Sequence, residues 1–423
     1  MPLNETANVF RISRLGWLGI ALVVLAPWTV VLWMMTSAPA STPPAVAVDA
    51  SRLGTITSDA GQKSGQLPIG PWGDLEYSTV MIEPPAEVIP VDDSIPQPPK
   101  WSFNGYTESK LTALWEAAGL TAAQRQTLDD PAIRKMLPSG LVLQPRVEDV
   151  VDLSPAARAK IYTALAEFPE NVPQCEPFRF RADSADDWFE GTDLAPETIA
   201  LTRSLLYQRN EIVLFSDHDI VLRGLASTAE RIRFLKAVSR KPALLVQLRL
   251  KHGQETESLA RYWGRGRRSK DIEPLLASLA RRPDGGTLDL IHLLPRFARS
   301  LIYTFPLPSD NRDDENHDCH WTSLNFYNDP PDEQYSKIDL VKRTLESSYY
   351  PVAGEPMLGD IILMLRPGGV VIHSCVFIAD DIVFTKNGPG YSVPWQIARL
   401  DYVVSFYGRG QELELRRYRR KDL

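Results

Sequence analysis

Asn316-His317-Asp318-Cys319-His320-Trp321-Thr322 and Val370-Val371-Ile372-His373-Ser374-Cys375-Val376-Phe377 are the two stretches that decide the reading of this chain. The first is a polar loop feeding an amphipathic helix, with Leu324, Phe326 and Tyr327 on its apolar side. The second is dense in β-branched residues and reads as a strand. A thiol at a helix start has its thiolate favoured by free peptide N–H groups and the helix dipole. A histidine on a neighbouring strand can act as its base, the arrangement that a cysteine nucleophile needs. Further strands are expected at 360–365, 382–386, 402–408 and 412–419, with a second helix over 332–346. Arg366-Pro367-Gly368-Gly369 and Ala379-Asp380-Asp381 supply hairpin turns. The fold class expected for this region is α+β, a helix bearing the nucleophile followed by an antiparallel sheet bearing the base.

Outward from that region, 423 residues exceed one typical domain. A net charge of −7 gives no basic excess for neutralising phosphates, so nucleic acid is not an expected partner. Three cysteines, Cys175, Cys319 and Cys375, are too few for a disulfide scaffold.

The N-terminal hundred residues differ in kind. No charge appears from Trp17 to Met35, and a run over 15–35 suits one bilayer crossing. Arg11 and Arg14 precede the run and the next basic residue is Arg52, which places the N-terminus in the cytoplasm and the rest outside it. A cleaved signal peptide is the rival reading, but the run is longer than an ordinary signal core. The expected organisation is therefore a cytoplasmic tip and transmembrane anchor over 1–36 and a Pro-rich tether over 37–100. Within the tether, residues 72–82 have the pattern of one short strand. Proline pairs such as Pro43-Pro44 and Pro84-Pro85 stiffen such a segment and oppose a packed core.

Residues 101–305 read as a mostly helical domain. Helix starts are marked by Thr107, by Ser154-Pro155 and by Pro196, with further helices expected at 228–239, 270–281 and 287–301 and short strands at 211–215 and 243–250. His218 between Asp217 and Asp219 looks metal-like, yet a lone Asp-His-Asp without further ligands reads as a turn or cap. The basic cluster from Arg265 to Lys270 reads as a solvated loop. Residues 306–315 are a polar break, so the fourth segment is placed at 306–423.

That segment resembles the NlpC-type endopeptidases, papain-like cysteine hydrolases of bacterial cell walls. The matching residues are Asp318-Cys319 before a helix, Gly359-Asp360-Ile361-Ile362 at the first strand, and His373 followed by Phe377. The resemblance spans about a quarter of the chain, 313–408, and implies a papain-like domain with Cys319 as nucleophile and His373 as general base. It also implies a peptidoglycan stem peptide as partner and a bacterial inner-membrane protein, single pass, with its bulk outside the cytoplasm. The family's third polar residue falls within Thr385-Lys386-Asn387. Asn387 is the choice, because its amide oxygen accepts a ring N–H, and Thr385 is the reserve. His317 or Asn316 would assist the Cys319 N–H in holding an oxyanion. No cofactor and no metal is expected: His317, Cys319 and His320 are too close in sequence to chelate together easily. The competing class is a papain-like domain without turnover, acting as a cell-wall binding or envelope assembly module.

Overall fold

The computed structural model describes residues 64–89, 97–182, 185, 187–210, 212–306, 317–408 and 411–423. The expected anchor, the tether up to residue 63 and over 90–96, residues 307–315 of the polar break, and Asn316 lie outside them. Among the described residues no helix is long and apolar enough to cross a membrane. Over the described residues the architecture is α+β, with helices and four antiparallel sheets.

One sheet runs β1 (Ser64–Gln66), β2 (Asp74–Ile82), β9 (Lys241–Leu250), β10 (Gly286–Asp289). The expected short strand is therefore a full member of a sheet, and this part of the presumed tether is folded. The prolines that opposed packing fall mainly outside β2, while Leu75 and Tyr77 alternate inward along it. Register pairs run from Asp74↔Arg249 to Ile82↔Lys241, so the segment between β2 and β9 leaves and rejoins the sheet at one point.

That segment has its own core, built on Trp101, Phe103, Trp115, Ile161, Tyr162, Phe215 and Phe234. It carries two small sheets, β3 (Trp101–Asn104) with β5 (Gly140–Leu143) and β4 (Arg134–Leu137), and β6 (Phe178–Arg181) with β8 (Ile212–Phe215) and β7 (Tyr207–Arg209). Its helices start where the caps indicate. Thr107 accepts from Lys110 N ahead of Glu108–Ala117, Ser154 from Ala157 N ahead of Pro155–Leu165, and Ser227 closes a capping box with Glu230 at Thr228–Val238.

The apolar cores do not divide at residue 306, where the sequence placed a boundary. Val246, Leu248, Trp263, Leu276 and Phe297 share one core with Trp321, Phe326, Val376, Phe384 and Ile397. The helix expected over 287–301 is also broken up. Asp289 caps a short 3-10 turn, and Pro295 precedes a separate helix, Arg296–Leu301.

The large sheet is ordered β11 (Tyr349–Pro351), β16 (Glu414–Arg420), β12 (Ile361–Arg366), β13 (Val370–Ala379), β14 (Ile382–Lys386), β15 (Trp395–Arg399). Gly368 and Gly369 make the β12–β13 turn at φ +93° and +82°, a backbone that side chains with a Cβ resist. The strand expected at 402–408 is instead the helix Leu400–Gly408. Its aromatic and β-branched content suggests a strand, but Tyr402 and Val403 pack on Ile362, Met364, Cys375 and Phe377 of one sheet face. Tertiary packing overrides propensity there.

Candidate active site

The Cys319–Leu324 helix is short and wholly buried, and Asp318 starts it. Asp318 Oδ1 accepts from the N–H of His320 at 2.8 Å and of Trp321 at 2.9 Å, which satisfies two orphan donors of the first turn. Cys319 is thus the first helical residue. Burial pushes its thiol up to about 12, and the Asp318 charge adds to this. The Ser374 peptide N–H and hydroxyl pull the other way. Desolvation outweighs the helix start, and at neutral pH the sulfur rests as a thiol.

Ser374 holds the helix against β13. Its hydroxyl lies 3.1 Å from Cys319 O, 3.1 Å from Ser323 Oγ and 2.9 Å from His320 Nδ1. Alternation along β13 turns Ser374 toward that helix and His373 toward Tyr407, whose ring stacks on the imidazole at 4.1 Å. Burial pushes the Tyr407 hydroxyl up, and a charge on Cys319 would push it further. Among the described residues no hydrogen bond joins Cys319 Sγ to His373.

His373 is fully buried, and burial followed by the neighbouring His320 holds it well below the ordinary histidine range. Its Nε2 lies 2.9 Å from Thr385 Oγ1. The Thr385 hydroxyl donates its single proton to Asn387 Oδ1 at 3.0 Å, so Thr385 Oγ1 must accept from the ring. Nε2 therefore carries the imidazole proton and Nδ1 carries a bare lone pair. Nδ1 is buried with no hydrogen-bond partner among the described residues. The sequence choice was Asn387 against the ring and Thr385 in reserve. The structure reverses their order, since a hydroxyl can accept from the ring while donating onward.

The other expected residue, His317, is turned away. Its Nε2 lies 2.8 Å from Glu333 Oε2, and its ring stacks on Trp321 at 3.7 Å, which leaves it engaged elsewhere than at the thiol.

Three neighbours were given no role at the site by the sequence reading, which weighed His320 only as a metal ligand and set Lys386 aside. Lys386 is fully buried and pushed down to about 8 by desolvation, with Asp318 and Cys319 acting in the opposite sense. Its Nζ donates to Gly388 O at 2.6 Å and sits 5.6 Å from the Trp395 ring centroid. His320 is buried, and Ser374 lies beneath it. The signal for Ser374 and Lys386 was their shared parity with apolar residues that face the helix, Val376 and Phe384. Asp318, Cys319 and His320 also bring one ligand atom each within 4.8 Å of one another.

Comparison of the chain with known protein families, with curated proteins and with solved structures gave no match.

Proposed function

We propose that the chain is an envelope cysteine hydrolase that cleaves an amide bond through a thioester on Cys319. The observation that carries this reading is the bare Nδ1 of His373, a buried base whose other nitrogen is fixed by Thr385 and Asn387, on the strand that Ser374 ties to the helix bearing the Cys319 thiol. The resting pair is neutral, so His373 acts as a general base rather than as half of an ion pair. As Cys319 Sγ bonds to the carbonyl carbon, its proton passes to Nδ1. The imidazolium returns that proton to the departing amine, and water then hydrolyses the thioester with Nδ1 again as base. The Cys319 peptide N–H is one donor for the oxyanion.

The resemblance to NlpC-type enzymes supports a papain-like domain and peptidoglycan stem peptides as substrate. The apolar run over 15–35 supports an inner-membrane anchor with the remainder outside the cytoplasm. A reporter that works only in the cytoplasm, fused after Leu423, should be silent; a bright signal overturns this topology.

One observation favours a second reading, a papain-like module that binds the cell wall without turnover: the thiol is buried and held protonated. Incubating the protein and its Cys319→Ala variant with peptidoglycan fragments, followed by mass spectrometry, separates the two. New amine ends formed by the parent alone support hydrolysis. Retention of intact fragments by both proteins supports the binding module.

A further inference from the structure

We infer that Lys386 is a positioning residue: its buried ammonium ties down the turn that carries Asn387, and through Asn387 and Thr385 it keeps the His373 proton on Nε2. Its bearing on turnover rests on the proposed hydrolysis; its hold on the imidazole does not.

The turn is the first argument. β14 ends at Lys386, and the chain continues as Asn387-Gly388-Pro389-Gly390. Glycine gives up more backbone freedom on ordering than any other residue, so a stretch with two of them does not hold a side chain in place unaided. Lys386 supplies the tie. Its Nζ donates to Gly388 O at 2.6 Å and to Gly390 O at 3.4 Å, and its own carbonyl accepts from the Gly388 N–H at 3.0 Å. Asn387 is thus enclosed by contacts that all belong to one neighbour. Hydrogen bonds from an ammonium are stronger than those between neutral groups, which suits them to this task.

The second argument is what Asn387 does. Its Oδ1 accepts from the Thr385 hydroxyl at 3.0 Å, and Thr385 Oγ1 accepts from His373 Nε2 at 2.9 Å. The tautomer of a histidine is set by the hydrogen bond that one of its nitrogens makes. With Asn387 Oδ1 displaced, the Thr385 hydroxyl is free to turn and donate to Nε2. Nε2 then gives up its proton, Nδ1 carries one instead, and no lone pair remains to take the proton of Cys319.

The third argument is the burial of the ammonium itself. Lys386 is fully buried, and its two acceptors are peptide carbonyls rather than a carboxylate. A methionine would fill similar space without desolvating a charge, so what the ammonium adds is its donors. Its position also joins the two halves of the site. Nζ lies 5.6 Å from the Trp395 ring centroid, Trp395 Nε1 donates to Thr322 Oγ1 at 2.9 Å, and Thr322 Oγ1 donates to Asp318 O at 2.7 Å. One side chain therefore touches the turn behind the base and the indole that is bonded to the helix of Cys319.

The test uses the full chain in detergent with nitrogen-15 in its histidine rings, and His373→Gln assigns the His373 signals. The parent should show His373 with its proton on Nε2 alone. In Lys386→Met the form with the proton on Nδ1 should appear while the melting temperature holds. On peptidoglycan fragments kcat should fall by up to about 100-fold with KM nearly unchanged, the mark of a misplaced group rather than a lost contact to substrate. Asn387→Ala should shift the ring signals in the same way. The double variant should be no worse than Asn387→Ala alone, because residues that act through one another do not add. If Lys386→Met fails to fold, Lys386→Gln keeps a polar head and is read in the same manner. A ring that stays protonated on Nε2 in the Lys386 variant, additive losses in the double variant, or lowered melting with unchanged ring signals overturns the inference. A parent that leaves peptidoglycan uncut defeats the hydrolysis alone, since the ring signals still decide the role of Lys386.

Discussion

Two buried polar clusters in this molecule make opposite use of desolvated chemistry. In the core between β2 and β9, Arg158 is fully buried and its Nε lies 3.2 Å from Asp217 Oδ2. Tyr162 donates to Asp217 Oδ1 at 2.6 Å, while Arg158 Nη1 and Nη2 donate to Ser204 O at 3.0 Å and Val150 O at 2.7 Å. Burial raises Asp217 to about 6, and Tyr162 and Arg158 pull it back toward the ionised form. Every charged member faces a counter-charge, with Arg158 Nε and Asp217 Oδ2 meeting as an ion pair rather than as a hydrogen bond. Beside the large sheet, by contrast, Cys319 and His373 are both held neutral by burial, and one ring nitrogen is left without a partner. The first arrangement fixes a core. The second leaves a ring nitrogen in want of a proton, which is how reactive sites differ from structural ones.

The comparison can be broken at either end. The largest expected effect is on chemistry: Cys319→Ala should lower hydrolysis by about 10³-fold or more, while stability changes by only about 1 kcal/mol. Equal activity in the variant would remove Cys319 from the mechanism. Next comes Arg158→Ala, which strands a buried carboxylate and should cost about 3–5 kcal/mol in a denaturant titration. A cost below about 1 kcal/mol would show that water already reaches the pair. Thr385→Val removes the acceptor that fixes the His373 proton and should reduce kcat/KM about 10- to 100-fold with little change in melting. A drop in kcat/KM matched by a collapse of the fold would make Thr385 a packing residue instead.

The smallest effect is the pH dependence. His373 sits below its ordinary value, so the folded chain takes up its proton later than the unfolded chain as the medium is acidified. Activity should therefore persist below pH about 6.5 and fall only as the pH drops through the lowered value. Stability should decline earlier, from about pH 6.5 down to the lowered value, because the unfolded state binds the proton first. His373→Gln should flatten that part of the stability curve; an unchanged slope would assign it to other groups. Iodoacetamide labelling of Cys319 should be slow at mildly acidic and neutral pH and climb only in alkali, since burial holds the thiol near 12.

The strands β12, β13 and β14 could be read from the sequence because their alternation and β-branched content act locally. The Leu400–Gly408 helix could not, since Tyr402, Val403 and Tyr407 favour a strand until the sheet face offers them a partner. The division of cores was hidden for a related reason. Pairing of Ile82 with Lys241 depends on residues far apart in sequence, which periodicity does not record. At the site, Cys319 and His373 were found by type and setting. Ser374 and Lys386 were missed, though strand parity pointed to them, because neither side chain is a familiar reactive group in that position.

The pairing of Ile82 with Lys241 has a consequence for the chain's history and its engineering. Two adjacent residues of one antiparallel ladder are the only doorway to residues 83–240, so this whole segment stands as an insertion at the tip of a β-hairpin. A tight turn of two residues would close the same hairpin. The shortened chain would forgo the Arg181–Asp401 ion pair at 3.6 Å and the Arg179 cation over Phe406, yet keep both strands, the large sheet and every residue around Cys319. Such a segment can be acquired, exchanged or deleted as a cassette, while the body that it interrupts keeps its own plan.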